Sequence, residues 1–149
     1  MNAATADSLA GTKPGSDLAF RILVVDDDPD TVSTLVEVLQ HEGHDARGVT
    51  DPRAVIGLAK SFVPHVFVLD IAMPLLSGYS LAEQLRSLSL THATALYIAI
   101  SGQFTRPDDA LLSQSVGFQH HFVKPCHPSV ILRAIQQWST PPGGNGVAA

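Results

Sequence analysis

Cysteine, tryptophan, basic residues and long apolar runs are all scarce in this 149-residue chain, and each shortage excludes something. A single cysteine, Cys126, cannot close an internal disulfide; it fits a reducing compartment, where a small packed side chain is its ordinary role. Nine Lys and Arg stand against fourteen Asp and Glu, for a formal net charge of -5. That balance argues against nucleic acid as a direct partner, because neutralising phosphates takes a basic face. No apolar run approaches the roughly 20 residues that cross a bilayer. Residues 1 to 19 hold no basic start followed by an apolar stretch, so the expected protein is soluble, unexported and cytoplasmic.

What is present is a set of short apolar runs with charged ends. Ile22-Leu23-Val24-Val25 stops at Asp26-Asp27-Asp28, Val66-Phe67-Val68-Leu69 stops at Asp70, and Phe122-Val123 stops at Lys124. Short runs of β-branched and aromatic residues bounded by polar or turn residues read as strands buried on both faces of a parallel sheet. Ligands of such sheets bind outside the carboxyl ends of the strands. Several carboxylates and one ammonium are therefore expected at a single rim, where they suit a divalent cation and a phosphoryl group.

Strand-like and helix-like segments alternate five times, the pattern of a doubly wound α/β domain with five parallel strands and five helices. The strands are expected near 20–25, 45–49, 66–69, 96–100 and 121–123. The first helix begins with Asp28 as cap and Pro29 at its first position, buries Val32, Leu35, Val36 and Leu39, and stops at Gly43. The second takes Thr50 or Asp51 as cap, buries Val55, Leu58, Ala59 and Phe62, and ends before Pro64. The third takes Ser80 as cap and buries Leu81, Leu85 and Leu88. The fourth, near 107–116, opens with Asp108 and Asp109 at the positive end of its dipole. The fifth follows Pro128, with Ile131, Ala134, Ile135 and Trp138 on one face. The organisation expected is a flexible tail over 1–19, one domain over 20–138, and a second tail over 139–149 that is rich in Pro and Gly.

The words Ile-Leu-Val-Val-Asp-Asp-Asp-Pro, Val-Leu-Asp-Ile-Ala-Met-Pro-Leu-Leu-Ser-Gly, Ile-Ser-Gly and Val-Lys-Pro, in this order and spacing, resemble the receiver domain of two-component response regulators. The resemblance implies a flavodoxin-like sheet in the order 2-1-3-4-5. It implies Asp70 as phosphoacceptor, attacking a kinase phosphohistidine to form an aspartyl phosphate. It also implies Mg²⁺ held by Asp26, Asp27, Asp70 and the backbone carbonyl of Ala72, with Asp27 the more direct ligand of the first two. Lys124, before a typically cis Pro125, would pair with a phosphoryl oxygen, and the Ser101 hydroxyl would donate to another. Without metal, three neighbouring carboxylates repel, and at least one should hold its proton more tightly than usual. The implied partners are a histidine kinase or phosphotransfer protein and a downstream protein target, with the chain a monomer or weak dimer.

Two positions depart from the family pattern. His121 stands where an aromatic switch residue is usual, and Ser101 where Thr is commoner. Ala72 and Gln103 occupy the two variable positions beside the phosphoryl group. Asp28 reads as a helix cap rather than a metal ligand. His120, His121 and His127 do not have the spacing of a helical zinc pair. Two other functions compete. A receiver-like interaction module would need no phosphate. A Mg²⁺-dependent phosphohydrolase would use Asp70 as nucleophile, but it lacks the second acid that many such enzymes carry two residues later, where this chain has Ala72.

Overall fold

The computed structural model describes residues 19–73, 77–88, 95–102 and 117–139. In chain order the elements are β1 (Arg21–Val25), α1 (Pro29–His41), β2 (Asp45–Val49), a 3-10 turn (Pro52–Ala54) running into α2 (Val55–Phe62), β3 (Val66–Asp70), α3 (Gly78–Ser87), β4 (Leu96–Ser101), β5 (His120–Val123) and α4 (Pro128–Ser139). All four strand pairings are parallel, in the order β2-β1-β3-β4-β5. The fold is the expected flavodoxin-like one. The described residues carry four α-helices; the expected helix near 107–116, with Asp108 and Asp109, lies outside them, as does Gln103.

Residues 22–25, 66–70 and 96–101 are buried without a break, because the three central strands have helices on both faces. Alternate side chains serve opposite faces. Leu23, Val25, Phe67, Leu69 and Tyr97 pack with Val55, Ala59, Leu81 and Leu85 of α2 and α3. Ile22, Val24, Val68, Ile98 and Ile100 pack with Val32, Leu35, Leu39, Ile131 and Ile135 of α1 and α4. β2 is an edge strand, and of its five residues Ala46 alone is buried. Its Gly48 lies so close under α1 that a Cβ would sit 2.2 Å from Val32 Cγ1.

Local chemistry sets the helix ends. Asp28 is extended, accepts the Asp30 N–H at 3.3 Å and the Thr31 hydroxyl at 2.8 Å, and precedes Pro29 at the first helical position. Those two bonds, Thr31 first, hold its carboxyl below the usual carboxylate range. Asp51 caps the 3-10 turn, and α2 ends at Val63 in the left-handed region (φ 50°) before Pro64. Two expectations need correction at α3. Ser77, not Ser80, is the cap: its hydroxyl accepts the Ser80 N–H at 3.2 Å from an extended backbone, so the helix starts one turn earlier. Starting earlier, the helix also ends earlier, and Leu88 falls past its last turn, exposed rather than buried.

Candidate functional site

The site is built where the central strands end. Asp26 follows β1, Asp70 ends β3 and Ser101 ends β4, and all three are buried polar residues, Asp26 fully. Asp27 is exposed beside them, because consecutive residues leaving a strand point to opposite sides. Lys124 follows β5, which pairs Val123 with Ser101 and so brings the lysine to the same rim. The Lys124 N–H donates to Ser101 O at 2.7 Å, and the Lys124-Pro125 peptide is cis.

Each buried acid is tied down in the same way. The Asp28 N–H donates to Asp26 Oδ1 at 2.9 Å, and the Ala72 N–H donates to Asp70 Oδ1 at 3.1 Å. The other oxygen of each turns to the ammonium: Lys124 Nζ lies 2.7 Å from Asp26 Oδ2 and 3.6 Å from Asp70 Oδ2. Burial pushes the Asp70 carboxyl up, the charge of Asp26 adds to this, and the Lys124 ammonium opposes both, leaving Asp70 at about 6. The expected strain among neighbouring carboxylates is therefore present, and it falls on Asp70. Burial disfavours the charged form of Lys124, but Asp26 and Asp70 outweigh it and raise the ammonium above its ordinary value.

Asp26, Asp27 and Asp70 can each offer a carboxylate oxygen, all within 4.8 Å of one another. Such a set of hard oxygen donors fits Mg²⁺, which favours carboxylates and keeps several waters. Ala72 is exposed, with its peptide fixed beside the Asp70 carboxylate by its own N–H. His121 does not join the cluster. It pairs with Ala99 in mid-β4, half-buried, two residues behind Ser101 on the partner strand. A cavity of about 520 Å³ opens beside Lys124 between α1 and α4, with Leu35, Ile100 and Ile131 at its floor and Asp30, Thr31 and Cys126 among its lining. Burial pushes the Cys126 thiol up, as suits a packed side chain.

One residue escaped sequence reasoning. Gly78 opens α3 against the end of β3, its N–H donating to Ile71 O at 3.0 Å, and a Cβ there would lie 2.5 Å from Asp70 O and 2.9 Å from Ile71 Cα. Only a glycine lets the helix approach the backbone that carries Asp70 so closely. The signal available was its place four residues after Pro74 in a turn, which marks a turn glycine without saying what it approaches.

Comparison with known proteins decides what this rim belongs to. Residues 22–136 match the response regulator receiver domain. The chain belongs to this family. An uncharacterized 14.6 kDa protein of Leptolyngbya boryana is 32% identical over 117 residues, which cover 78% of this chain and 88% of the other. The transcriptional regulatory protein CreB of Escherichia coli is 29% identical, over 80% of this chain and 54% of its own length, so this receiver chain spans about half of that relative. Protein PilH of Pseudomonas aeruginosa is 28% identical over 77% of this chain and 93% of its own. Among solved structures, the chemotaxis protein CheY4 of Vibrio cholerae shares the fold with a TM-score of 0.74 at 22% identity, over 80% of this chain and 98% of that one. Receiver domains of this kind are signalling domains that work with histidine kinases and downstream targets. No helix among the described residues is long and apolar enough to cross a membrane.

Proposed function

We propose that this receiver domain is a phosphorylation-dependent switch in a two-component phosphorelay. It takes a phosphoryl group from a histidine kinase or phosphotransfer protein onto Asp70 and passes the state to a downstream protein in the cytoplasm, as a monomer or weak dimer. One observation carries the reading: Asp26, Asp27 and Asp70 offer oxygens within 4.8 Å of one another while Lys124 reaches two of the three acids. A structural salt bridge needs one acid per ammonium; three acids around one ammonium leave negative charge for a cation to neutralise.

Asp26, Asp27, Asp70 and the carbonyl of Ala72 would hold Mg²⁺, which supplies charge neutralisation for an anion attacking an anion. Asp70 supplies the nucleophile. Its carboxylate forms the P–O bond as the P–N bond of phosphohistidine breaks and the imidazole leaves. Lys124, already between Asp26 and Asp70, pairs with a phosphoryl oxygen, and Ser101 donates to another. Ser101 moving toward that oxygen is the conformational step, and His121, two residues back across the β4–β5 ladder, is the group that responds in the switch.

Incubation with Mg²⁺ and acetyl phosphate, read by phosphate-affinity gel mobility, tests this beside Asp70→Asn. A retarded band in the native chain and none in the variant is the expected result. An unshifted native chain with Mg²⁺ demonstrably bound would sink the reading and leave a phosphate-independent interaction module. Catalytic turnover of varied monoesters would replace it with a hydrolase.

A further inference from the structure

At the pole opposite the acidic cluster, two histidines hold the start of β1. His44 and His65 stand immediately before or next to the strands, β2 and β3, that flank β1 in the sheet. The Phe20 N–H donates to His44 Nδ1 at 3.1 Å, and the Arg21 N–H donates to His65 Nδ1 at 2.9 Å. Backbone bonds close the same two sides: the Asp45 N–H donates to Phe20 O at 3.0 Å and the His65 N–H to Arg21 O at 2.8 Å. The Phe20 ring stacks on His44 with centroids 5.8 Å apart, meets His65 edge-on at 5.5 Å, and lies 5.2 Å from Trp138 of α4. A backbone N–H is always a donor, so each Nδ1 has to present a lone pair and each ring carries its proton on Nε2. Protonation of either Nδ1 sets donor against donor.

We propose that His44 and His65 form a pH-sensitive clamp on the start of β1, which opens as the pH falls through the imidazole range. An unfolded-chain imidazole titrates near about 6.5, whereas a clamped one takes a proton on Nδ1 only after its hydrogen bond breaks. The folded state then binds fewer protons than the unfolded one, so the stability supplied by the clamp is present above about pH 6.5 and is lost as the pH drops below it. The charged groups at this pole pull both ways. Arg21, whose Nε donates to Val63 O at 2.9 Å at the end of α2, opposes an imidazolium. Asp45 of β2, in register with Arg21, and Glu42 just past the end of α1 favour one, and His41 in the last turn of α1 titrates in the same range. From α4 comes Trp138, and from β4 the Leu96 N–H, which donates to His65 O at 2.9 Å. The acids ease a positive ring but cannot return a lone pair to a protonated Nδ1, so the hydrogen bonds set the direction.

Asparagine carries its side-chain oxygen near the position of Nδ1 and does not titrate, which makes it the discriminating substitution. Urea unfolding of the full chain at pH 7.5 and 5.5 compares the native protein with His44→Asn, His65→Asn and the double variant. Each clamped imidazole contributes about a tenfold fall in the folding equilibrium constant across that interval. The double variant is expected to lose roughly a hundredfold of pH dependence while matching the native chain at pH 7.5. An identical pH dependence in the native chain and the double variant overturns the clamp. Nitrogen-15 NMR of the native protein at pH 7.5 tests it without mutation: Nε2–H in both rings supports it, and an Nδ1–H tautomer in either ring overturns it.

Discussion

The two ends of the sheet meet opposite electrostatic problems. At the carboxyl rim, Asp26 and Asp70 are buried side by side with one ammonium between them and Asp27 at the edge. Two backbone amides hold these acids in place, yet Asp70 still stands at about 6, so the fold tolerates charge there at a cost. At the amino pole the same strands begin among Phe20, Trp138 and two imidazoles that accept backbone hydrogens, so polar groups are matched without a buried ion pair. Contacts at the amino pole add to stability. Those at the carboxyl rim spend stability on a geometry that a cation and a phosphoryl group can use.

Changes that separate the two ends sharpen this contrast. The largest effect is expected from Lys124→Met without metal, which leaves Asp26 and Asp70 facing each other unpaired and costs about 3 kcal/mol. Thermal melts should show Mg²⁺ recovering more stability in this variant than in the native chain; equal Mg²⁺ effects would mean that the ammonium is not the counter-ion. Next is Asp70→Asn, with the opposite sign. An acid whose folded pKa is raised to about 6 favours the fold while protonated; its penalty grows as pH climbs from about 4 to 6 and stays constant above. Removing it in chelator at pH 7.5 should stabilise by about 2 kcal/mol, after subtracting what Lys124 loses with its second partner. That gain should vanish near pH 4, and urea midpoints across the range check it.

Smaller effects test the edges of each end. Gly78→Ala forces a Cβ against the Asp70 backbone and should cost roughly 1 to 2 kcal/mol while weakening Mg²⁺ binding, as read by calorimetry. Unchanged metal affinity would show that the glycine serves only the helix. Phe20→Ala, at the half-buried amino pole, should cost about 1 kcal/mol and leave Mg²⁺ affinity as it was. A shift in metal affinity there would mean that the two ends are not independent.

Much of this was legible in the sequence, for identifiable reasons. β1, β3 and β4 announce themselves because burial on both faces requires unbroken apolar runs, and even the weak run 45–49 is a strand where expected. The meeting of Asp26, Asp27, Asp70, Ser101 and Lys124 at one rim follows from parallel strands ending on one side. The start of α3 was misplaced because Ser77 and Ser80 both satisfy a capping pattern, and only the extended backbone at Ser77 separates them. Leu88 fits the helical spacing but lies one residue beyond the helix that would have buried it. The ionic bridge from Lys124 to Asp26 joins residues far apart in the chain, and no local pattern encodes its length. His44 and His65 lie 24 and 44 residues from the amides they accept, so in sequence they look like ordinary polar residues before strands.

The tethering of Asp26 and Asp70 has a mechanical consequence. Because one oxygen of each is pinned by an amide two residues on, neither carboxylate has to rotate when its counter-ion changes, and the outward oxygens act as a fixed berth. Whatever cation occupies that berth, the rearrangement is borne by the flexible stem of Lys124, whose torsions are cheap to turn, and the sheet beneath stays still.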